Sequence, residues 1–281
     1  MICPVCQARF QTVKVFSLAT YCIYTCDNCF TRFGDPFVNN KDIYNDNFVE
    51  ESKQYFYSNN CCFSGIYPQI KQFIDVKNKR ILDIGCGVGS FLEIMKENNE
   101  VVGLELSQTY ERFLKTKNIP YKIGNLEVSL KSFPDSNFDL ITFWDVFEHF
   151  ENPTYIFKLV LNKLRPGGII INWTNNYNDF ITKFAEISYK VSFGHFKALI
   201  DRSFNQKSGH NYNFVEKSLE TIYHKFPVKI LKTIITDTPS ERLTKTSLFK
   251  FILDCFYVLN KATGKGKIIC HVLEKQKYLG I

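Results

Sequence analysis

Arg80-Ile81-Leu82-Asp83-Ile84-Gly85-Cys86-Gly87-Val88-Gly89 is an apolar run that ends in a glycine-rich turn, and helical spacing begins at the next residue, Ser90. A short apolar run bounded in this way reads as a buried parallel strand. Glycines at alternate positions let the backbone turn tightly and let a ligand approach to van der Waals distance. The helix expected over Ser90 to Asn98 presents free amide donors above the turn. A G-x-G-x-G pattern by itself also suits an ordinary tight turn. Here it lacks the last step of the G-x-G-x-x-G dinucleotide fingerprint. Asp83, just ahead of the glycines, would repel a pyrophosphate and attract a cationic group.

Outward from this turn, strands and helices alternate. Val101 to Leu106 reads as a second strand, a third ends near Ile123, and Phe138 to Phe143 is a fourth. A helix over Pro153 to Leu164 leads through the turn Arg165-Pro166-Gly167-Gly168 into a fifth strand, Ile169 to Trp173. Regularity then lapses over about 175–213, where aromatics, glycines and polar residues mix; a lid or substrate-binding insertion is expected there. Val215 to Lys225 is helical, Val228 to Ile235 a strand, Ser247 to Leu259 a strongly apolar helix, and Lys267 to Glu274 a closing strand. The fold class is therefore α/β, a doubly wound, mostly parallel, seven-stranded Rossmann-like sheet. Glu105 ends the second strand 22 residues after Asp83, where the general fold rule puts an acidic group against ribose hydroxyls.

Upstream lies a second pattern. Cys3-x-x-Cys6, nineteen intervening residues, then Cys26-x-x-Cys29 matches the two-knuckle spacing of a structural Cys₄ zinc ribbon. Each knuckle presents two thiolates to one tetrahedral ion, and a module this small has little core, so the metal would supply its folding energy. A closed site leaves no position for substrate. Cys22 could compete as a ligand but does not fit the knuckles, and Cys61, Cys62, Cys86, Cys255 and Cys270 are read as core or incidental thiols. The chain divides into a ribbon at 1–42, a helical connector rich in aromatics at 43–78 (Tyr55 and Tyr57 among them), and the α/β domain at 79–281.

Composition agrees with a globular protein: 45% hydrophobic, 22% charged, with 27 Phe and 15 Tyr for a sizeable core. A net charge of +7 tolerates an anionic partner without demanding one. The start, Met1-Ile2-Cys3-Pro4, lacks the features of a signal peptide. No stretch approaches the roughly 18 apolar residues of a membrane span. A cytoplasmic location is expected, and in that reducing setting ten cysteines read as thiols or metal ligands.

The motifs together resemble the class I S-adenosylmethionine-dependent methyltransferase family. The match runs from Ile81 to Gly89, through Val102-Gly103-Leu104-Glu105-Leu106-Ser107, Phe138-Asp139-Leu140-Ile141 and Val146-Phe147-Glu148-His149, to Leu164-Arg165-Pro166-Gly167-Gly168. The resemblance implies that Asp83, Gly85 and Gly87, with Cys86 in the same turn, line the methionine part of the cofactor. It implies that Glu105 holds the ribose and that Leu106 packs on the adenine. Asn125 and Leu126 stand where the family commonly has an aspartate and an apolar residue at the adenine edge. Trp144 and Asp145 would shape the methyl-transfer pocket.

The acceptor is less well marked. Histidine is the natural base near neutral pH. His149 lies near the expected cofactor edge, as a base or as a residue that packs against or caps the next helix. His210, in Gly209-His210-Asn211-Tyr212-Asn213-Phe214, resembles the His-x-x-x-Phe region of bacterial methyltransferases of sugar and polysaccharide pathways. His195, in the insertion, is an alternative. The ribbon, aromatic connector and cofactor domain together resemble those same enzymes, which implies O- or N-methylation of a sugar, sugar nucleotide or glycan. An RNA methyltransferase is the rival enzyme reading, but the Asn/Asp-Pro-Pro-aromatic signature and a basic stripe interleaved with aromatics are absent. A non-catalytic binding or assembly module is the third reading. The apolar helix near the C-terminus, flanked by Lys245, Lys250 and Lys261, is expected in the core or at a homodimer contact, with peripheral membrane contact as the other use.

Overall fold

Three short strands follow the first cysteine pair: β1 (Lys14–Ser17), β2 (Cys22–Thr25) and β3 (Arg32–Asp35), each antiparallel to the next. The computed structural model describes residues 1–9, 14–39, 43, 71–73, 77–240 and 246–277. The connector expected over 43–78, with Tyr55, Tyr57, Cys61 and Cys62, lies mostly outside these.

The main sheet begins with β4 (Arg80–Ile84), whose chain turns at the glycines into helix α1 (Ser90–Met95). Strand β5 (Glu100–Glu105), helix α2 (Glu111–Thr116), β6 (Tyr121–Ile123) and α3 (Leu126–Lys131) follow. Then come β7 (Phe138–Trp144), α4 (Pro153–Lys163) and β8 (Leu164–Asn175), which starts directly after α4 and takes in the segment expected as a turn. Beyond it lie α5 (Phe180–Val191), α6 (Lys197–Phe204), β9 (Tyr212–Asn213), α7 (Glu216–Tyr223), β10 (Val228–Thr236), α8 (Ser247–Ala262) and β11 (Ile268–Lys275).

Seven strands form one sheet in the order β10-β11-β8-β7-β4-β5-β6, with β11 antiparallel to both neighbours and β4 to β8 parallel. Alternation along the strands feeds a core on each face. Leu82, Ile84, Ile141 and Phe143 join Phe157, Val160 and Leu161 of α4. Ile81, Leu140, Ile169 and Ile171 join Phe91, Leu92 and Met95 of α1. The chain lays β5 and β6 on one side of β4, then returns to lay β7 on the other. The strand order therefore reverses at β4, and a doubly wound sheet takes its ligand over the carboxyl ends of the strands at such a point.

Where forty irregular residues are expected after β8, the structure has two helices. Asp179 starts α5 by accepting the amides of Ile181 and Thr182. Both helices pack on the ribbon strands through Phe16, Tyr21, Ile23, Ala185, Ile200 and Phe204. The two-residue strand β9 then pairs with β3, Arg32 opposite Asn213 and Phe33 opposite Tyr212, so the ribbon sheet is completed by a strand from the far end of the insertion.

Candidate active site

The glycine turn closes on the end of β5. The amides of Gly85 and Cys86 both donate to the Leu104 carbonyl, at 2.8 and 3.1 Å. Gly85 has φ 70°, and a Cβ there would stand 2.4 Å from Val146 Cγ2, so no larger residue fits without displacing the segment after β7. At Gly87 a Cβ would meet nothing within 4 Å. The turn is thus tight against the protein on one side and open on the other, which is the form a ligand cradle needs.

Glu105 is held by this turn. One carboxylate oxygen accepts the Gly87 amide at 2.9 Å, and the other accepts those of Leu106 and Ser107 at 2.7 and 3.0 Å. Asp83 is 2% exposed and accepts the Thr142 hydroxyl at 2.6 Å, a bond that follows from the pairing of Asp83 with Thr142 across β4 and β7. Burial, with the charge of Glu105 nearby, pushes the Asp83 carboxyl up to about 8, against the pull of Thr142. Burial also raises Glu105, against its three amides. Among the described residues neither carboxylate meets a basic side chain. Two buried acids without a cation, beside an open glycine turn, fit a cationic ligand with hydroxyls; S-adenosylmethionine has both.

Asn125, exposed, caps α3 by accepting the Val128 amide at 3.1 Å, so one lone pair of its oxygen is already engaged. Leu106 and Leu126 are half-buried. Trp144 stacks at a tilt between Phe91 and Trp173, with centroids at 5.2 and 6.0 Å. Asp145 follows with φ 53° and donates its amide to the Trp173 carbonyl.

Beyond Asp145 the structure brings together two histidines that are 61 residues apart. The rings of His149 and His210 meet edge to face, centroids 4.8 Å apart. Burial lowers His149 to about 4, and lowers His210 as well, so both imidazoles are neutral at neutral pH. Glu148 is buried, accepts the Thr174 hydroxyl at 2.7 Å, and is raised to about 8 by burial and by Asp145. Donor atoms of Glu148, His149 and His210 lie within 4.8 Å of one another. These are the types of a two-histidine, one-carboxylate metal site. However, His210 Nδ1 faces the Asn175 amide nitrogen at 3.2 Å, and its ring also bonds the backbone of Phe204, so we read a hydrogen-bonded network. His195 is exposed in the turn between α5 and α6.

Sequence reasoning missed what braces this network. Asn211 is fully buried. Its oxygen accepts the Val38 amide at 2.7 Å, and its Nδ2 donates to the His149 carbonyl at 3.0 Å. Its own amide donates to the Glu148 carbonyl, and its carbonyl accepts from Gly34. One residue, through side chain and backbone together, thereby joins the ribbon, the histidine segment and the strand beside His210. Periodicity carries no trace of such a residue; only its place in the quoted His210 segment pointed near it.

The four ribbon cysteines converge. Cys3 and Cys29 stand 3.7 Å apart at sulfur, and Cys6 and Cys26 stand 3.6 Å apart. A disulfide needs about 2.05 Å, whereas two thiolates on one tetrahedral zinc stand about 3.8 Å apart for Zn–S bonds near 2.3 Å. The amides of Val5 and Cys6 point at Cys3 Sγ, as in a metal knuckle. This set fits a metal and does not fit a disulfide.

A family model described as a methyltransferase domain matches residues 64–226, more than half of the chain. The ubiquinone biosynthesis O-methyltransferase of Coxiella burnetii is 30% identical over 116 residues, which cover 39% of this chain and 49% of that protein. The phosphoethanolamine N-methyltransferase of Triticum aestivum is 28% identical over 141 residues, 43% of this chain and 28% of that protein. The chain thus spans about half or less of the length of these curated relatives. In fold it is similar to a SAM-dependent methyltransferase from Archaeoglobus fulgidus, with a TM-score of 0.53 and 19% identity over 82% of this chain and all of that one.

Proposed function

The chain belongs to the methyltransferase-domain family, and from that membership we propose that it transfers the methyl group of S-adenosylmethionine to an oxygen or nitrogen of a small acceptor, with a sugar, sugar nucleotide or glycan end as the acceptor class. The observation that carries the transferase reading is the Glu105 carboxylate clamped on the Gly87, Leu106 and Ser107 amides beside the open glycine turn. When bound, S-adenosylmethionine supplies an electrophilic methyl group on a sulfonium centre. Glu105 would accept its ribose hydroxyls, and Asp83, giving up its proton on binding, would meet its cationic end. Trp144 and Asp145, at the end of β7, would border the acceptor. Displacement at the methyl carbon asks the protein to align a nucleophile and, for a hydroxyl, to receive its proton. His149 and His210 are neutral, the form that can take one, although His210 Nδ1 would first give up the Asn175 Nδ2 hydrogen it accepts; Asp145 and Glu148 are adjacent. The named activities of the relatives, one O- and one N-methyltransferase, agree with either acceptor atom. The sugar class rests on the resemblance of the ribbon, connector and His210 segment. For the ribbon we propose a structural Cys₄ zinc site of Cys3, Cys6, Cys26 and Cys29.

The test is calorimetric titration with S-adenosylmethionine and S-adenosylhomocysteine, beside a Glu105→Ala variant. Labelled methyl transfer to a panel of sugar nucleotides and to RNA follows. Micromolar binding that the variant weakens, with label on a sugar nucleotide, supports the proposal. Label on RNA alone replaces the acceptor class, and no heat from zinc-loaded, folded protein overturns the transferase reading in favour of a binding module.

A further inference from the structure

Helix α8 is apolar nearly all round, and a helix of that kind is normally buried on all sides. Here only a stripe is covered. Asn260 is fully buried, and Leu253, Phe256 and Tyr257 are half-buried. Leu248, Phe249, Phe251, Ile252, Val258 and Leu259 are exposed, Phe251 at 67%.

The apolar surface continues onto α5. Asn260 Oδ1 accepts the Phe180 amide at 3.0 Å, and one turn further on the rings of Phe184 and Phe256 lie 5.9 Å apart, so α5 and α8 run antiparallel. On α5, Phe184, Ile187 and Val191 share one side at i, i+3 and i+7, and all three are exposed. The turn after α5 adds Phe193, 94% exposed, and Phe196. Two adjoining helices and a protruding aromatic turn make one apolar surface, larger than scattered surface residues would give.

The charges on the same elements select what covers it. Helices α5, α6 and α8 carry Lys183, Lys190, Lys197, Arg202, Lys250 and Lys261 against Glu186, Asp201 and Asp254. Of the lysines, Lys190, Lys197 and Lys261 are exposed, whereas Lys183 meets Glu186 and lies over the Tyr177 ring. Glu186 is turned inward to Arg32 at 2.8 Å, and Asp201 accepts the Tyr21 hydroxyl and meets Lys207. Asp254 is therefore the exposed acid of the three helices. A second copy packed symmetrically on this face would set lysines against lysines. An anionic phospholipid surface meets both demands, taking the apolar side chains below its headgroups and the lysines among them.

We propose that the α5–α8 face, with the Phe193 turn, docks on an anionic membrane surface. The contact is peripheral, because no helix among the described residues is long and apolar enough to cross a membrane. The test is co-sedimentation of the full chain with vesicles of equal parts phosphatidylglycerol and phosphatidylcholine, against phosphatidylcholine alone. Binding to the anionic vesicles should exceed that to the neutral ones by about tenfold or more and weaken with added salt. Phe249→Glu with Phe251→Glu should abolish it, and Lys190→Glu with Lys197→Glu should weaken it by about tenfold. All these side chains are exposed, so each variant should keep its thermal melting point and its affinity for S-adenosylmethionine. Equal binding to both vesicles, no binding to either, or a dimer seen by ultracentrifugation that the double Phe variant splits without vesicle binding would overturn the proposal.

Discussion

At the scale of single residues, the site depends on a few atoms with no substitute nearby. Glu105 holds three amides and offers the charge that a ribose would meet, so Glu105→Ala should weaken cofactor binding by about ten- to a hundredfold, the worth of a charged hydrogen bond. Titration calorimetry reads that directly. Gly85→Ala acts differently. It places a Cβ at 2.4 Å from Val146 on a backbone with φ 70°, which should cost about 2–4 kcal/mol of stability and lower the melting temperature even without ligand. Asn211 is a positioning residue by its contacts. Asn211→Ala leaves the Val38 amide and the His149 carbonyl short of a partner, at about 2–3 kcal/mol by denaturant titration. Because Asn211 touches none of the cofactor-turn residues, cofactor affinity should survive this change while kcat falls. A parallel loss of both would mean that the two halves of the site are not separable.

At the scale of elements, strand β9 is the joint between ribbon and site. Its two residues pair with Arg32 and Phe33 of β3, and His210 lies two positions ahead of Tyr212. If a zinc ion holds the ribbon, its removal by a chelator or by Cys26→Ser should open β1 to β3 first, since binding free energy is folding free energy in such modules. Amide exchange should then rise in β3 and β9 and stay slow in β4 and β5, which belong to the other sheet. Equal exchange in both sheets would sink this division. A second link runs from Arg32 to Glu186, both nearly buried at 2.8 Å, with Arg32 also over the Tyr177 ring at 3.9 Å. Glu186→Ala strands a buried guanidinium and should cost about 3–5 kcal/mol. These elements also mark where the sequence could be read and where it could not. Strands β4, β5 and β7 announce themselves as apolar runs because both faces of a parallel sheet are buried. Helices α5 and α6 did not, for a physical reason. On α5, Thr182, Ala185 and Glu186 go inside while Phe184, Ile187 and Val191 face out, so the apolar period points away from the core. A two-residue strand such as β9 has no periodicity at all.

At the scale of the whole molecule, the unread part of the site is what long-range packing supplies: Thr142 beside Asp83, Asn175 beside His210, and Asn211 between Val38 and His149. The same packing buries acids and imidazoles together, and that fixes a pH dependence. Asp83 and Glu148 are raised to about 8, so between about pH 4 and 8 the folded chain holds protons that the unfolded chain has released, and their contribution to stability falls as pH rises. His149 and His271, the latter buried on β11 against the Tyr223 ring, are lowered to about 4, and His210 is lowered as well. Between about pH 4 and 6.5 the unfolded chain therefore binds the extra protons, and their contribution grows as pH rises. The two trends oppose each other up to about pH 6.5; above it the raised carboxyls dominate so long as a metal holds the four cysteines. In metal-free protein Cys29, lowered to about 5 by its hydrogen bond with Cys3, would add a rising trend up to about pH 9. The stability of the zinc-loaded, cofactor-free protein should therefore hold roughly level and then decline from about pH 6.5 to 8, by up to ~1.4 kcal/mol per pH unit for each carboxyl, and the melting temperature should fall with it. A cationic cofactor favours ionised Asp83, so binding should release protons and the stabilisation it gives should grow over that same interval. Asp83→Asn should remove its share of both effects and leave the share due to Glu148. Thermal melts across this range, with and without S-adenosylmethionine, decide the matter. A melting temperature that climbs from pH 6.5 to 8 would mean that Asp83 and Glu148 are ionised in the free protein, and that β4 holds no site waiting for a cation.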